Sequence, residues 1–124
     1  MSTDIKIVLP KPPSVNHLYA YTARGGYIHG YMTAQGKAWF EEAIYKAKSQ
    51  AQFSFLQTKI KVTIYFFTSR ETSDLDNINK GLLDVLQKSE IIDNDKYVYE
   101  LHSYKKICKK EEERVELILS SLQS

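Results

Sequence analysis

Apolar and polar positions first alternate at Ile5, Ile7 and Leu9, with Lys6 and Val8 between them. This period of two predicts a short strand, which Pro10, Pro12 and Pro13 end by removing amide donors. From Pro12 to Tyr31 no apolar period is visible, and the run of Tyr, Gly, Asn, His and Arg reads as a long extended loop. Thr33 then stands as an N-cap before the stripe Trp39, Ala43, Ile44, Ala47 and Ala51, which predicts a helix to about Ala51. Lys59 to Thr68 (KIKVTIYFFT) returns to a period of two in β-branched and aromatic residues, the clearest strand of the chain. Ile78, Leu82, Val85 and Leu86 follow at helical spacing behind Asp76 or Asn77 as a cap, predicting a helix to about Lys88. Asp93-Asn94-Asp95 reads as a turn between that helix and a new strand, short enough to be able to fold back over the helix's open end. Tyr97 to Ile107 and Arg114 to Ser120 read as two strands joined by a charged turn into a hairpin.

The order β-α-β-α-β-β predicts an α+β fold: one domain over residues 1–124, with a mixed four-stranded sheet and two main helices. With 124 residues and 43% apolar composition, the chain has material for one real core. A formal charge of +2 does not announce a strongly basic nucleic-acid binder, so any basic surface is local. Cys108, the single cysteine, cannot form an internal disulfide and suits a reducing compartment. The opening residues lack a basic n-region and an apolar h-region, and no apolar run approaches roughly eighteen residues. A soluble, cytoplasmic protein without membrane association is therefore expected.

Ser73 to Asp95 (SDLDNINKGLLDVLQKSEIIDND) is where the chemistry concentrates. Asp74 and Asp76 flank Leu75, so in extended backbone their carboxylates share a face. Lys80 follows Asp76 by four residues, one helical turn on, and brings a cation beside the acids and the positive end of the helix. Acids at a helix start and an Asp/Asn cluster in a turn also serve simply as caps and turn formers. The spacing is not that of a calcium loop. Counting from Asp74, Asn79 stands where glycine is required and Val85 where glutamate is required.

If Asp74, Asp76 and Asp95 gather, their mutual repulsion calls for a hard cation, and oxygen-only ligands favour Mg²⁺, with Mn²⁺ possible. Phosphodiester hydrolysis is the natural reaction class for such a site, with Lys80 holding a phosphate oxygen or orienting water. No Ser-His-Asp set, phosphate-cradling glycine loop or zinc-spaced Cys/His cluster competes for the role, and no organic cofactor is implied. Asn16, Tyr19 and Arg24, in the aromatic and basic stretch, are candidates to hold a sugar-phosphate chain by hydrogen bonding and stacking.

The run Asp74-Leu75-Asp76-Asn77, Lys80, Asp84, Leu86 and then Asp95 with Val98 resembles the RusA family of Holliday junction resolvases. Leu9-Pro10, Pro12-Pro13-Ser14, Asn16 and Gly36 extend the resemblance over most of the chain. The resemblance implies catalytic metal-binding aspartates at Asp74, Asp76 and Asp95 and an essential lysine at Lys80. It also implies a Mg²⁺-dependent homodimer that nicks four-way DNA junctions symmetrically in recombination and repair. Asn94 departs from the family pattern, in which an aspartate often precedes the catalytic one, so Asp93 is a second choice for the third carboxylate. The alternatives are a less selective nuclease of flaps and forks, and a module that binds branched DNA without cutting it.

Overall fold

A computed structural model describes residues 4–13, 19–24, 27–71 and 76–122; the side chains at 19–24, 27–31, 76 and 77 lie outside that description. Its strands are β1 (Ile5–Leu9), β2 (Tyr19–Arg24), β3 (Tyr27–Met32), β4 (Ile60–Thr68), β5 (Val98–Ile107) and β6 (Arg114–Ser121). Helix α1 spans Ala34–Gln50 and helix α2 spans Asp76–Lys88. The main sheet has the order β1-β6-β4-β5 and is mixed: β4 pairs antiparallel with β6 and parallel with β5. The α+β fold expected from the sequence, a four-stranded mixed sheet with two main helices, is the one observed.

Two features differ from the sequence reading. Residues 19–24 and 27–32, expected to be part of an extended loop, pair as an antiparallel two-stranded sheet in the register Tyr19↔Met32 to Arg24↔Tyr27. The strands β5 and β6 do not form a hairpin, because β4 lies between them. A strand with one wholly buried face is most stable in the middle of a sheet, with both of its edges paired. The chain after β5 therefore crosses the end of β4. Cys108 N–H donates to the Thr68 carbonyl at 3.0 Å, and a short 3₁₀ turn at Lys110–Glu112 returns the chain into β6.

Alternation makes the core. In β4 every second residue from Ile60 to Thr68 is buried, and Val115, Leu117 and Leu119 of β6 and Ile5, Ile7 and Leu9 of β1 bury the same face. Trp39, Ala43 and Ala47 of α1 join one apolar cluster with Ile78, Leu82, Val85 and Leu86 of α2. Both helices therefore cover a single face of the sheet. Thr33 caps α1 by accepting the Gly36 N–H at 3.0 Å, as expected from its place before the stripe. The Trp39 indole N–H donates to the Pro10 carbonyl at 3.0 Å, so the helix also fixes the proline stretch. At the other end of α1, the Gln50 amide accepts from the Val8 N–H and donates to the Val8 carbonyl, satisfying backbone groups of the edge strand β1.

The turn leaving α2 sets where the chain goes next. Glu90 has φ 62°, its N–H donates to the Gln87 carbonyl at 3.0 Å, and the Ile91 N–H donates to the Leu86 carbonyl at 3.1 Å. This is a Schellman arrangement with glutamate where glycine is usual. It turns Ile91 and Ile92 back into the core, and both are buried. Among the described residues no helix is long and apolar enough to cross a membrane.

Candidate active site

Strand β4 ends at the buried Thr68, and α2 begins at Asp76. Asp74 lies outside the described residues; Asp76 opens the helix, with only its backbone described. The start of the intervening segment is fastened twice. One Glu113 oxygen accepts from both the Ser69 N–H and the Ser69 hydroxyl at 2.7 Å, and from the Lys11 ammonium at 3.0 Å. The Lys105 ammonium donates to the Glu71 carbonyl at 2.6 Å. The bonds from Ser69, followed by that from Lys11, hold the Glu113 carboxyl well below its ordinary value, at about 2.

Neither anchor is legible in the sequence, where Lys105 continues a strand to Ile107 and Glu113 closes a charged turn. A mixed-sign run carries no local signal that one of its acids faces inward. Only the position of Glu113, immediately before the alternating strand at 114, hints at it.

Lys80 is exposed on α2, one turn after Asp76. Asp84 follows one turn later and is partly covered. Burial, above all, raises its carboxyl from the ordinary range, Lys80 and Lys88 act against that, and the charge of Asp95 adds to it. Lys80, Asp84 and Asp95 thus share one electrostatic neighbourhood.

The Asp93–Asp95 turn does not close over the N-terminal end of the helix, as its turn chemistry had suggested. It lies against the last turn of α2, where the Asp95 N–H donates to the Gln87 side-chain oxygen at 3.3 Å. Asn94 caps the following 3₁₀ turn, Asp95–Tyr97, by accepting the Lys96 N–H at 2.8 Å. Asp93 accepts the Gln57 N–H at 3.2 and 3.3 Å, whereas the exposed Asp95 carboxylate accepts no hydrogen bond among the described residues. Asp76 and Gln87 are eleven residues apart on one helix, a rise of about 16 Å between them, so within one chain Asp95 lies toward the half of α2 away from Asp76.

Asn16 lies outside the described residues. Tyr19 and Arg24 stand at the two ends of β2, at the base and tip of the β2–β3 pair. The structure thus gives Lys80 and Asp95 in full, Asp76, Tyr19 and Arg24 as backbone positions, and brings Asp84 beside Lys80 and Asp95.

Helix α2 thus opens at Asp76 and carries Lys80 one turn along it. The family model described as Endodeoxyribonuclease RusA matches residues 10–120. The chain belongs to the RusA family. The match takes in every strand of the main sheet except the N-terminal β1, and it includes the whole of α2 and the Asp95 turn. The crossover junction endodeoxyribonuclease RusA of Aquifex aeolicus (strain VF5) is 29% identical over 110 residues, covering 88% of this chain and 86% of that protein. Membership of the RusA family makes the chain a nuclease of the endodeoxyribonuclease class, and no described helix suits a membrane span.

Proposed function

We propose that this RusA-family chain is a homodimeric, divalent-metal-dependent endonuclease that resolves four-way DNA junctions in recombination and repair. The observation that carries the reading is the helix that opens at Asp76 and carries Lys80 one turn on, inside a family match that spans nearly the whole chain. The name of the Aquifex relative supports the junction as substrate.

Asp74, Asp76 and Asp95 are proposed as metal ligands, with Asp95 preferred over Asp93 because the Asp93 carboxylate is occupied by the Gln57 amide. Their donor chemistry, all carboxylate oxygen, suits Mg²⁺ or Mn²⁺. When bound, such an ion supplies Lewis acidity toward a phosphoryl oxygen and lowers the pKa of water. Lys80 places positive charge where the transferring phosphate gathers negative charge. Asn16, Tyr19 and Arg24 are proposed to hold the DNA backbone beside the site.

The rise of about 16 Å along α2 between Asp76 and Gln87, whose side chain meets Asp95, favours a site completed by two chains. A two-fold axis near the middle of α2 would bring the Asp95 end of one copy to the Asp76 end of the other. A surface for that contact lies alongside: Leu101 and Ile107 of the edge strand β5 face the helix side of the sheet, in register with the buried Val62 and Thr68, yet remain 40% and 57% exposed. Asn79 of α2 accepts from the Ser103 hydroxyl of β5 at 3.0 Å, joining helix flank and strand edge into one surface.

The test is cleavage of a labelled four-way junction beside a linear duplex of the same sequence, with Mg²⁺ or EDTA, by wild type and Asp76→Asn. Paired nicks on the junction alone, lost with EDTA and with the variant, are expected. Cutting of flaps and forks at equal rates would replace the reading by a less selective nuclease. Tight junction binding without metal-dependent nicks would replace it by a binding module.

A further inference from the structure

The second face of the main sheet is not used by anything above. Both helices pack on the face formed by Ile60, Val62, Ile64 and Phe66, so Lys61, Thr63, Tyr65 and Phe67 of β4 look the other way. A half-covered antiparallel or mixed sheet ordinarily puts polar side chains on its solvent face. Here the middle of that face is aromatic. Tyr65 is in register with Tyr104 of β5, and their rings stack with centroids 5.4 Å apart and planes 18° from parallel. Tyr104 is 45% exposed.

Cations accompany the rings. Arg114 of β6, in register with Phe67, sets its guanidinium carbon 3.9 Å from the Phe67 ring centroid, and the Lys106 ammonium lies 6.0 Å from that of Tyr65. Among the described residues, the acid nearest the rings is paired with cations. Glu116 lies 2.8 Å from Arg114 and 3.8 Å from Lys6, whereas Glu100, in register with Lys61 at the far end of the face, meets only the His102 ring at 3.2 Å. The surface beside the rings is therefore basic chiefly at Lys106, with Lys61 further along β4.

We propose that this open face is a platform for an unpaired DNA strand. One base stacks on the Tyr65–Tyr104 pair and a neighbour on Phe67–Arg114, while Lys61 and Lys106 meet the phosphates. Flat rings flanked by cations on a sheet are what sequence-independent recognition of single strands uses, because every base presents a π-face and every linkage a negative charge. The choice of DNA as occupant rests on the nuclease reading; the platform itself is separate from the acidic segment.

The experiment is fluorescence anisotropy of a labelled twelve-residue oligothymidylate with the full chain in EDTA, alongside a duplex of equal length. Circular dichroism checks that each variant is folded. Tyr104→Ala is expected to weaken oligothymidylate binding roughly five-fold or more, while Tyr104→Phe, which keeps the ring, stays within about two-fold of wild type. Lys106→Gln is expected to weaken binding and to flatten its salt dependence. Asp76→Asn should retain the affinity while losing nicking, so if wild type nicks no DNA but the Tyr104 dependence holds, only the nuclease reading falls. Folded Tyr104→Ala and Lys106→Gln proteins that bind the oligonucleotide as wild type does would overturn the platform. So would a Tyr104→Ala protein altered only in oligomeric state, since the face would then receive a second copy of the chain.

Discussion

Removing the Glu113 charge tests how the acidic segment is held in place. In Glu113→Gln the side chain keeps its size but loses the charge that accepts from the Ser69 N–H, the Ser69 hydroxyl and the Lys11 ammonium. A carboxyl lowered from 4.5 to about 2 corresponds to roughly 3 kcal/mol of preference for the ionised form in the folded state. The side chain is 16% exposed, and solvent screening reduces the expected loss to about 1.5–2 kcal/mol. The sign follows from a folded value below the unfolded one. The stabilisation is complete above about pH 4.5 and disappears as pH falls toward 2. Urea unfolding of wild type and Glu113→Gln, measured from pH 6 down to pH 2.5, should show a gap of this size at the upper end that closes steadily at the lower. Because Ser69 begins the segment leading to Asp74 and Asp76, junction nicking at neutral pH should fall as well. A variant as stable as wild type at pH 6, or a gap unchanged down to pH 2.5, would refute the reasoning.

Other consequences are narrower. Glu90→Gly should stabilise the protein by about 0.5–1 kcal/mol in urea unfolding, since glycine relieves the left-handed backbone at φ 62° at some cost in unfolded-state entropy. Leu82→Ala, which empties a fully buried position on α2, should cost about 2–5 kcal/mol by the same measurement. Asp95→Asn removes the charge that, together with burial, raises the Asp84 carboxyl, so the Asp84 carbon resonance should titrate at lower pH than in wild type; an unmoved midpoint would separate the two residues.

Much of this fold is written locally in the chain. The period of two at 60–68 becomes the alternating burial of β4, and the 3/4 spacing of Ile78, Leu82, Val85 and Leu86 becomes the buried stripe of α2. What was not legible depends on partners distant in sequence. The β2–β3 pair carries tyrosine, alanine and glycine with no apolar period in its sequence to announce it; only the Gly25-Gly26 pair between the strands is a hairpin signal. The separation of β5 from β6 follows from the need of β4 for two neighbours, which no property of β5 or β6 displays. For the candidate site, residue types and spacing identified Asp76, Lys80 and Asp95 as the residues to watch, but not where the helix would carry them. The rigid rise of α2 places the Asp95 turn at the far end from Asp76. Turn chemistry at 93–95 is the same whichever end it faces.

The most direct measurement is junction nicking by a mixture of two inactive variants, Asp76→Asn and Asp95→Asn, refolded together so that their chains assort. If Asp76 of one copy and Asp95 of its partner build each site, half of the dimers carry both variants and each of these has one intact site. Nicking should then return to about one quarter of the wild-type rate, one strand at a time, although each variant alone is inactive. A mixture as inactive as its components would contradict a site shared between two chains.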